Sequence, residues 1–258
     1  MKGIDKIQEF LGEFKSNYVI IGGTAANLNL ELHGQKGRVT KDIDMIVVCE
    51  AINSAYVERF WQFIKSGGYK LWQVKTDNGE SRSCFYRFIN PANEDYPEYI
   101  ELFSRKPDAI TLPEDAHLVH IPTDEYLSSF SAILMDDDYY NYAINHSIEI
   151  NGVMSLNVPS LLVLKAKAYL NNRQRKLDGA QVQSDDINKH KKDIYRLSFI
   201  INEGDLFEVP SSIASDLNRF CELLIEEPVN AQALSKYMAA PEKTMEQIVE
   251  QIKLVFSL

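Results

Sequence analysis

The chain has 258 residues, 45% hydrophobic and 25% charged, and its 27 Lys and Arg stand against 37 Asp and Glu for a net charge of −10. That length can bury a substantial core in two packed modules, and the acidity argues against a protein that coats nucleic acid through its phosphates. No stretch approaches the roughly 18 apolar residues of a bilayer span. An apolar signal core is missing from the N-terminus, and Cys49, Cys84 and Cys221 are isolated, so the expectation is a cytoplasmic protein with no membrane, zinc or disulfide framework.

In chain order, apolar spacing predicts an opening helix over Ile4 to Lys15, a strand over Tyr18 to Gly22 and a helix over Ala25 to Leu32. A strand from Asp42 to Val48, a helix over Ala51 to Lys65, and strands over Tyr69 to Lys75, Ser83 to Asn90 and Tyr96 to Phe103 follow. Asn151-Gly152, between Ser147 to Ile150 and Val153 to Val158, is a two-residue hairpin signal. After Pro159 the pattern turns helical, over Ser160 to Asn171, Asp185 to Asn202, Ser211 to Glu226, Val229 to Met238 and Pro241 to Ser257. In the last of these, Met245, Ile248, Ile252 and Val255 recur at three- or four-residue steps, as a core-facing stripe does. The polar run Leu177 to Asp186 reads as a mobile loop. The expected architecture is α+β: a mixed-sheet domain with flanking helices over 1–157, then a helical domain over 158–258.

Two motifs carry the chemistry. Ile20-Ile21-Gly22-Gly23-Thr24 ends an apolar run at two glycines, where the backbone can approach a ligand closely, and a helix N-terminus behind it would offer free N–H groups to phosphate. Asp42 and Asp44 lie two apart on a β-branched strand and so share a face. Paired carboxylates resist joint ionisation unless a cation joins them, and hard oxygen donors favour Mg2+ or Mn2+. Gly-Gly-Thr alone is common in turns and Asp-x-Asp alone is often a pair of solvated acids. Their proximity, with both acids opening an otherwise apolar strand, is the stronger signal.

Taken together, apolar-Gly-Gly-Thr, a helix and Arg38-x-Thr40-x-Asp42-x-Asp44 resemble the nucleotidyltransferases of the DNA polymerase β-like superfamily, most closely the abortive-infection type IV toxin (AbiEii-like) group. The eighteen residues between Gly23 and Asp42, with Gly34 and Gly37 among them, make a longer connection than many members have. The resemblance implies a nucleotidyltransferase-type sheet, two bound Mg2+ or Mn2+ ions, a nucleoside triphosphate such as ATP as substrate, and a third carboxylate on a nearby strand. Glu101, in the middle of Tyr99-Ile100-Glu101-Leu102-Phe103, is the best match, with a solvated strand residue as its bland alternative. Asp42, Asp44 and Glu101 would hold metal, and Gly22, Gly23 and Thr24 would hold the triphosphate.

The resemblance extends to the helical half, which would complete the nucleotide cleft. The group has a lysine on the first helix after the sheet domain and a Lys/Arg-x-x-x-Asp-apolar-x-x-Leu helix, matched by Lys165, with Lys167 as the alternative, and by Asp193 with Lys189 or Lys192 before it. From Lys165 to Arg196 nine Lys and Arg oppose four Asp, a local balance of +5, which suits a triphosphate or an RNA acceptor as well as a solvated basic face. His117 and His120 read as strand-edge residues rather than ligands. The implied activity is transfer of a nucleoside monophosphate to a hydroxyl of RNA or protein, with an antitoxin protein as partner. The alternatives are transfer to a small molecule such as an antibiotic, and a silent member that only binds nucleotide or protein.

Overall fold

The computed structural model describes residues 3–75, 81–106, 118–121, 130–202 and 204–258, without side chains over 72–85, 118–121 and 130–131. The chain divides into two compact units, one of residues 1–24 and 39–156, the other of residues 25–38 and 157–258.

The first unit is an open mixed sheet with helices. It starts with α1 (Ile4–Leu11), whose Ile4, Ile7 and Leu11 are buried at helical spacing, and then β1 (Tyr18–Ile21), buried at every position. The helix stops at Leu11 instead of continuing to Lys15, with Gly12 as its last residue to donate back, to the Gln8 main-chain oxygen. Next come β2 (Asp42–Val47), α3 (Ser54–Gly67), β3 (Lys70–Lys75), β4 (Ser81–Ile89) and β5 (Tyr99–Ser104). Asn53 caps α3 by accepting from the Tyr56 N–H at 3.0 Å, and Gly68 ends it in the left-handed conformation at φ 64°. Then follow β6 (Leu118–Ile121), β7 (Phe130–Leu134), α4 (Asp137–Asn145), β8 (Ser147–Ile150) and β9 (Val153–Leu156). The main strand order is β3-β4-β5-β2-β1-β9-β8, with β7 on β5 and β6 on β7.

Register is what places the acids. β1 runs antiparallel to β2 with Ile21 opposite Asp44, and β2 runs parallel to β5 with Asp44 opposite Glu101. On its other side β5 is antiparallel to β4, with Glu101 opposite Arg87. Beneath this face Ile43, Met45, Ile100 and Leu102 are buried, continuous with Phe60, Phe63, Phe88 and Tyr96. Each such side chain contributes on the order of 1.5–3 kcal/mol through burial.

The second unit is helical among its described residues. It takes most of α2 (Gly22–Leu32), then α5 (Val158–Leu177), α6 (Ser184–Leu197), α7 (Ser211–Glu226), α8 (Ala231–Met238) and α9 (Met245–Phe256). Asn157 caps α5 through the Ser160 N–H at 3.0 Å, with Pro159 in the first turn. A Thr244–Gln247 capping box opens α9, whose Met245, Ile248, Ile252 and Val255 are buried. Helix α5 continues to Leu177 where the composition suggested a stop near Asn171, since Arg173, Gln174, Arg175 and Lys176 are good helix formers and the last turn's cations suit the C-terminal dipole. The connection before α6 is correspondingly short, over 178–183.

Candidate functional site

Helix α2 starts at Gly22 itself, directly after β1, so the glycine pair forms its first turn rather than a separate loop. The N–H groups at such an end lack intrahelical partners. Gly22 has φ +69°, and a Cβ there would strike the Asp44 carboxylate, lying 3.0 Å from its Cγ and 3.2 Å from its Cβ. Only glycine fits, on conformation and on space together.

Thr24 is buried, and its hydroxyl donates to the Asp42 main-chain oxygen at 2.6 Å. That hydroxyl fastens the helix start to β2, so Thr24 acts on the site by position. Asp42 is exposed and Asp44 partly exposed, on the face that Ile43 and Met45 turn away from. Glu101 stands level with Asp44 on the next strand, about 4.8 Å away at the backbone, and is engaged by the Arg87 guanidinium from the strand beyond. Asp44, Glu101 and Arg87 thus form one row across β2, β5 and β4, with Gly22 against Asp44 just past the end of β1 and Asp42 two residues along on the same face.

The donor set fits a hard divalent cation: carboxylate oxygens, at least partly exposed, with Gly22 leaving room for the Asp44 carboxylate. Among the described residues no three His, Cys, Asp or Glu side chains are grouped closely enough to hold one ion between them, since Glu101 faces Arg87. Asp42 and Asp44 share that face, and Glu101 is held by Arg87.

In the second unit, Lys165 and Asp193 meet. Lys165 Nζ donates to Asp193 Oδ2 at 2.6 Å, both 4% or less exposed, and Arg196 Nη1 and Arg38 Nε donate to the same carboxylate at 3.0 and 3.2 Å. Burial alone would raise the Asp193 pKa, but Lys165, Arg38 and Arg196 outweigh it and hold the carboxyl below its ordinary range. Lys167 points elsewhere, to Asp216 at 2.8 Å. Of the alternatives before Asp193, Lys189 bridges Asp186 at the surface, while the buried lysine is Lys191, which donates to the Glu227 main-chain oxygen at 2.6 Å.

The partners Arg38 and Arg196 escaped the sequence reading. Asp193 and Arg196 stand three apart on one helix, a spacing that pairs charges, whereas Arg38 lies 155 residues away. His190, one turn before Asp193, is brought down to about 3 by burial, with Lys165 and Lys189 adding to the effect. Within the basic run, Lys165, Lys167, Arg173, Lys189, Lys191 and Arg196 all form ion pairs inside this unit, so much of the +5 is matched by acids from beyond the run or within it.

Cys49 and Cys221 are free thiols. The Cys84 and His120 side chains and all of His117 lie outside what is described. Among the described residues no helix is long and apolar enough to cross a membrane.

No family model matches the chain, and no curated protein matches it significantly. Among solved structures, JHP933 from Helicobacter pylori aligns over 98% of this chain and 89% of its own length, with 14% identity and a TM-score of 0.39.

Proposed function

We propose that the chain is a metal-dependent nucleotidyltransferase of the polymerase β-like type, its β1–α2–β2–β5 segment being the nucleotidyltransferase sheet and the toxin group its nearest likeness. The observation that carries this is the closure of the Gly22 helix start on Asp44, with Asp42 on the same face and Glu101 level on the neighbouring strand. A phosphate-binding helix end and a hard-cation carboxylate pair are then adjacent parts of one surface.

In this reading the N–H groups at Gly22 and Gly23 bind phosphate oxygens of a nucleoside triphosphate, while Asp42 and Asp44 would hold Mg2+ or Mn2+. The bound cation supplies charge neutralisation for the entering and leaving oxygens. An acceptor hydroxyl attacks the α-phosphorus, its O–H proton passes to Glu101 once that carboxylate has left Arg87, and the bond to pyrophosphate breaks. Thr24 keeps the helix start and β2 in register. The acceptor is a hydroxyl of RNA, protein or a small molecule.

One observation favours a second reading. The Arg87–Glu101 pair occupies the third carboxylate, as in a member that binds nucleotide without transferring it.

Incubating the purified chain with Mg2+, each labelled nucleoside triphosphate and RNA, protein extract or small-molecule pools separates these readings. Transfer of label that disappears in Asp42→Ala and in Asp44→Ala is expected, and the labelled pool names the acceptor class. Nucleotide binding without transfer in any pool favours the second reading, and transfer untouched by both substitutions refutes the metal site.

A further inference from the structure

We infer that Tyr237, with Lys36 and Lys236 beside it, is a stacking platform in the second unit for single-stranded nucleic acid. The inference concerns that unit alone and stands whether or not the chain transfers nucleotides.

Two segments of the second unit meet at one hydrogen bond, in which the Tyr237 hydroxyl donates to the Gly37 main-chain oxygen at 2.9 Å. Each segment is held by its own contacts. On α8 the side chains of Leu234, Ser235 and Met238 are buried, and the Ser235 and Tyr195 hydroxyls are hydrogen-bonded at 2.6 Å. After α2, the Gln35 N–H donates to the Leu30 main-chain oxygen at 2.8 Å, and Asn27 Nδ2 donates to that of Arg38 at 2.6 Å. Gly37 lies against Asn27, where an added Cβ would come within 2.6 Å of its Cγ. The Tyr237 ring is thus fixed at its hydroxyl end. The Arg196 guanidinium lies over the ring, 5.9 Å from its centroid, and is itself held by Asp193 at 3.0 Å.

Despite these contacts Tyr237 is 50% exposed, more than any other Phe, Tyr or Trp among the described side chains, whereas Tyr169 and Tyr195 of the same unit are buried. Water would satisfy a surface phenol, so the hydroxyl bond orders this ring without burying it. A ring already ordered loses little freedom when a flat partner lies on it. The surrounding charge selects that partner. Segments 32–38 and 228–241 contain no Asp or Glu, in a chain with 37 of them, and carry His33, Lys36, Arg38 and Lys236. Lys36 and Lys236, each next in sequence to a residue of the hydrogen bond, are exposed, and neither has an ion pair among the described residues. An ordered aromatic ring beside such lysines suits a base stacked on the ring with neighbouring phosphates on the ammonium groups, a contact open to every base. An acidic peptide would use the lysines and leave the ring idle, and a duplex keeps its base faces stacked on one another.

The test titrates the full chain, at low salt, into a labelled single strand of about twelve nucleotides, as RNA and as DNA, and reads fluorescence anisotropy. Tyr237→Leu should weaken binding of both strands by about fivefold to 150-fold, the factor that one stacked base commands, and Tyr237→Phe, which keeps the ring, should restore most of the loss. Lys36→Gln and Lys236→Gln, both at exposed positions, should each flatten the dependence of log affinity on log salt by about 0.7. The duplex of the same sequence should bind more weakly than either strand. Absence of binding by the wild-type chain, binding unchanged in folded Tyr237→Leu, or a duplex held as tightly as its strands would overturn the platform. Polyglutamate that displaces the strand equally from wild type and Tyr237→Leu would overturn it too, and would assign the surface to an acidic protein. None of these readouts uses label transfer, so failure of the transferase reading would show separately, in the transfer assay.

Discussion

Replacing Gly22 with alanine tests the contact on which the site is built, and Gly34 supplies a matched control. Both glycines have φ +69°, so alanine pays the same left-handed penalty at each, about 1–2 kcal/mol. Their surroundings differ: a Cβ at 34 meets nothing within 4 Å, whereas at 22 it lands on the Asp44 carboxylate. Overpacking of that kind costs about 1–3 kcal/mol beyond the strain. Gly34→Ala should therefore lose about 1–2 kcal/mol and Gly22→Ala about 2–5 kcal/mol, the gain from a stiffer unfolded chain being common to both.

Urea unfolding at neutral pH measures both, each value being read from its own transition if the two units unfold separately. A double-mutant cycle with Asp44→Ala isolates the contact: removing the carboxylate should recover about 1 kcal/mol or more of the Gly22→Ala loss. Label transfer should fall by about a hundredfold in Gly22→Ala, because moving Asp44 by an ångström misplaces a ligand of the reacting group. Equal losses at 22 and 34, or no coupling to Asp44, would refute the claim that Gly22 is there to make room for that carboxylate.

Two further outcomes follow from the charges of the second unit. His190 has a folded pKa of about 3 against an ordinary 6.5, so as pH falls through that window the unfolded chain takes up a proton that the folded chain refuses. Stability is then lost on acidification, by about 2 kcal/mol from this group between pH 6.5 and 5, and His190→Asn should unfold in urea with a visibly flatter pH dependence; an identical slope would show that His190 is not buried neutral. Lys165→Met and Asp193→Asn should be unequal in cost: the first leaves Asp193 with two arginines, the second leaves three cations without their shared anion. Urea titration should place Asp193→Asn within the 3–5 kcal/mol typical of a broken buried pair and Lys165→Met below it, and the reverse order would contradict the shared-anchor geometry.

What was legible in the sequence is what short-range rules govern. Alternation placed Asp42 and Asp44 on one face and Glu101 in the middle of a strand, because side chains on a strand repeat every two residues whatever its neighbours are. The helical stripe of α9 was legible for the same kind of reason. Helix α4 and strand β7 are not evident from the sequence, and β6 only in that His120 reads as a strand-edge residue. Asp137-Asp138-Tyr139-Tyr140 mixes a good acidic first turn with aromatics that suit a strand equally well, and burial of Tyr139, Tyr140 and Tyr142 decides the matter. The start of α2 was misplaced by three residues because glycine is a poor helix former on average, while here its missing Cβ is what the Asp44 carboxylate requires.

The charged partnerships mark where local reading ends. Lys165 and Asp193 were matched through a resemblance, and the structure joins them, but the same carboxylate also holds Arg38, a residue of the very stretch that precedes Asp42. Nothing in the spacing of residues 38 and 193 announces this, since ion pairs across the chain depend on which helices pack, and that is settled by their apolar faces rather than their charges. The grouping of residues 25–38 with the helical unit is the physical expression of the same fact. A segment that would read as an enlarged loop inside a sheet domain is bound by Asn27, Asp193 and Tyr237, and the acids of β2 begin where that hold ends. The long connection between Gly23 and Asp42 is therefore best understood as structure required by the second unit, which explains why it carries Gly37, whose bareness lets the chain lie on Asn27, and Arg38, whose charge Asp193 needs.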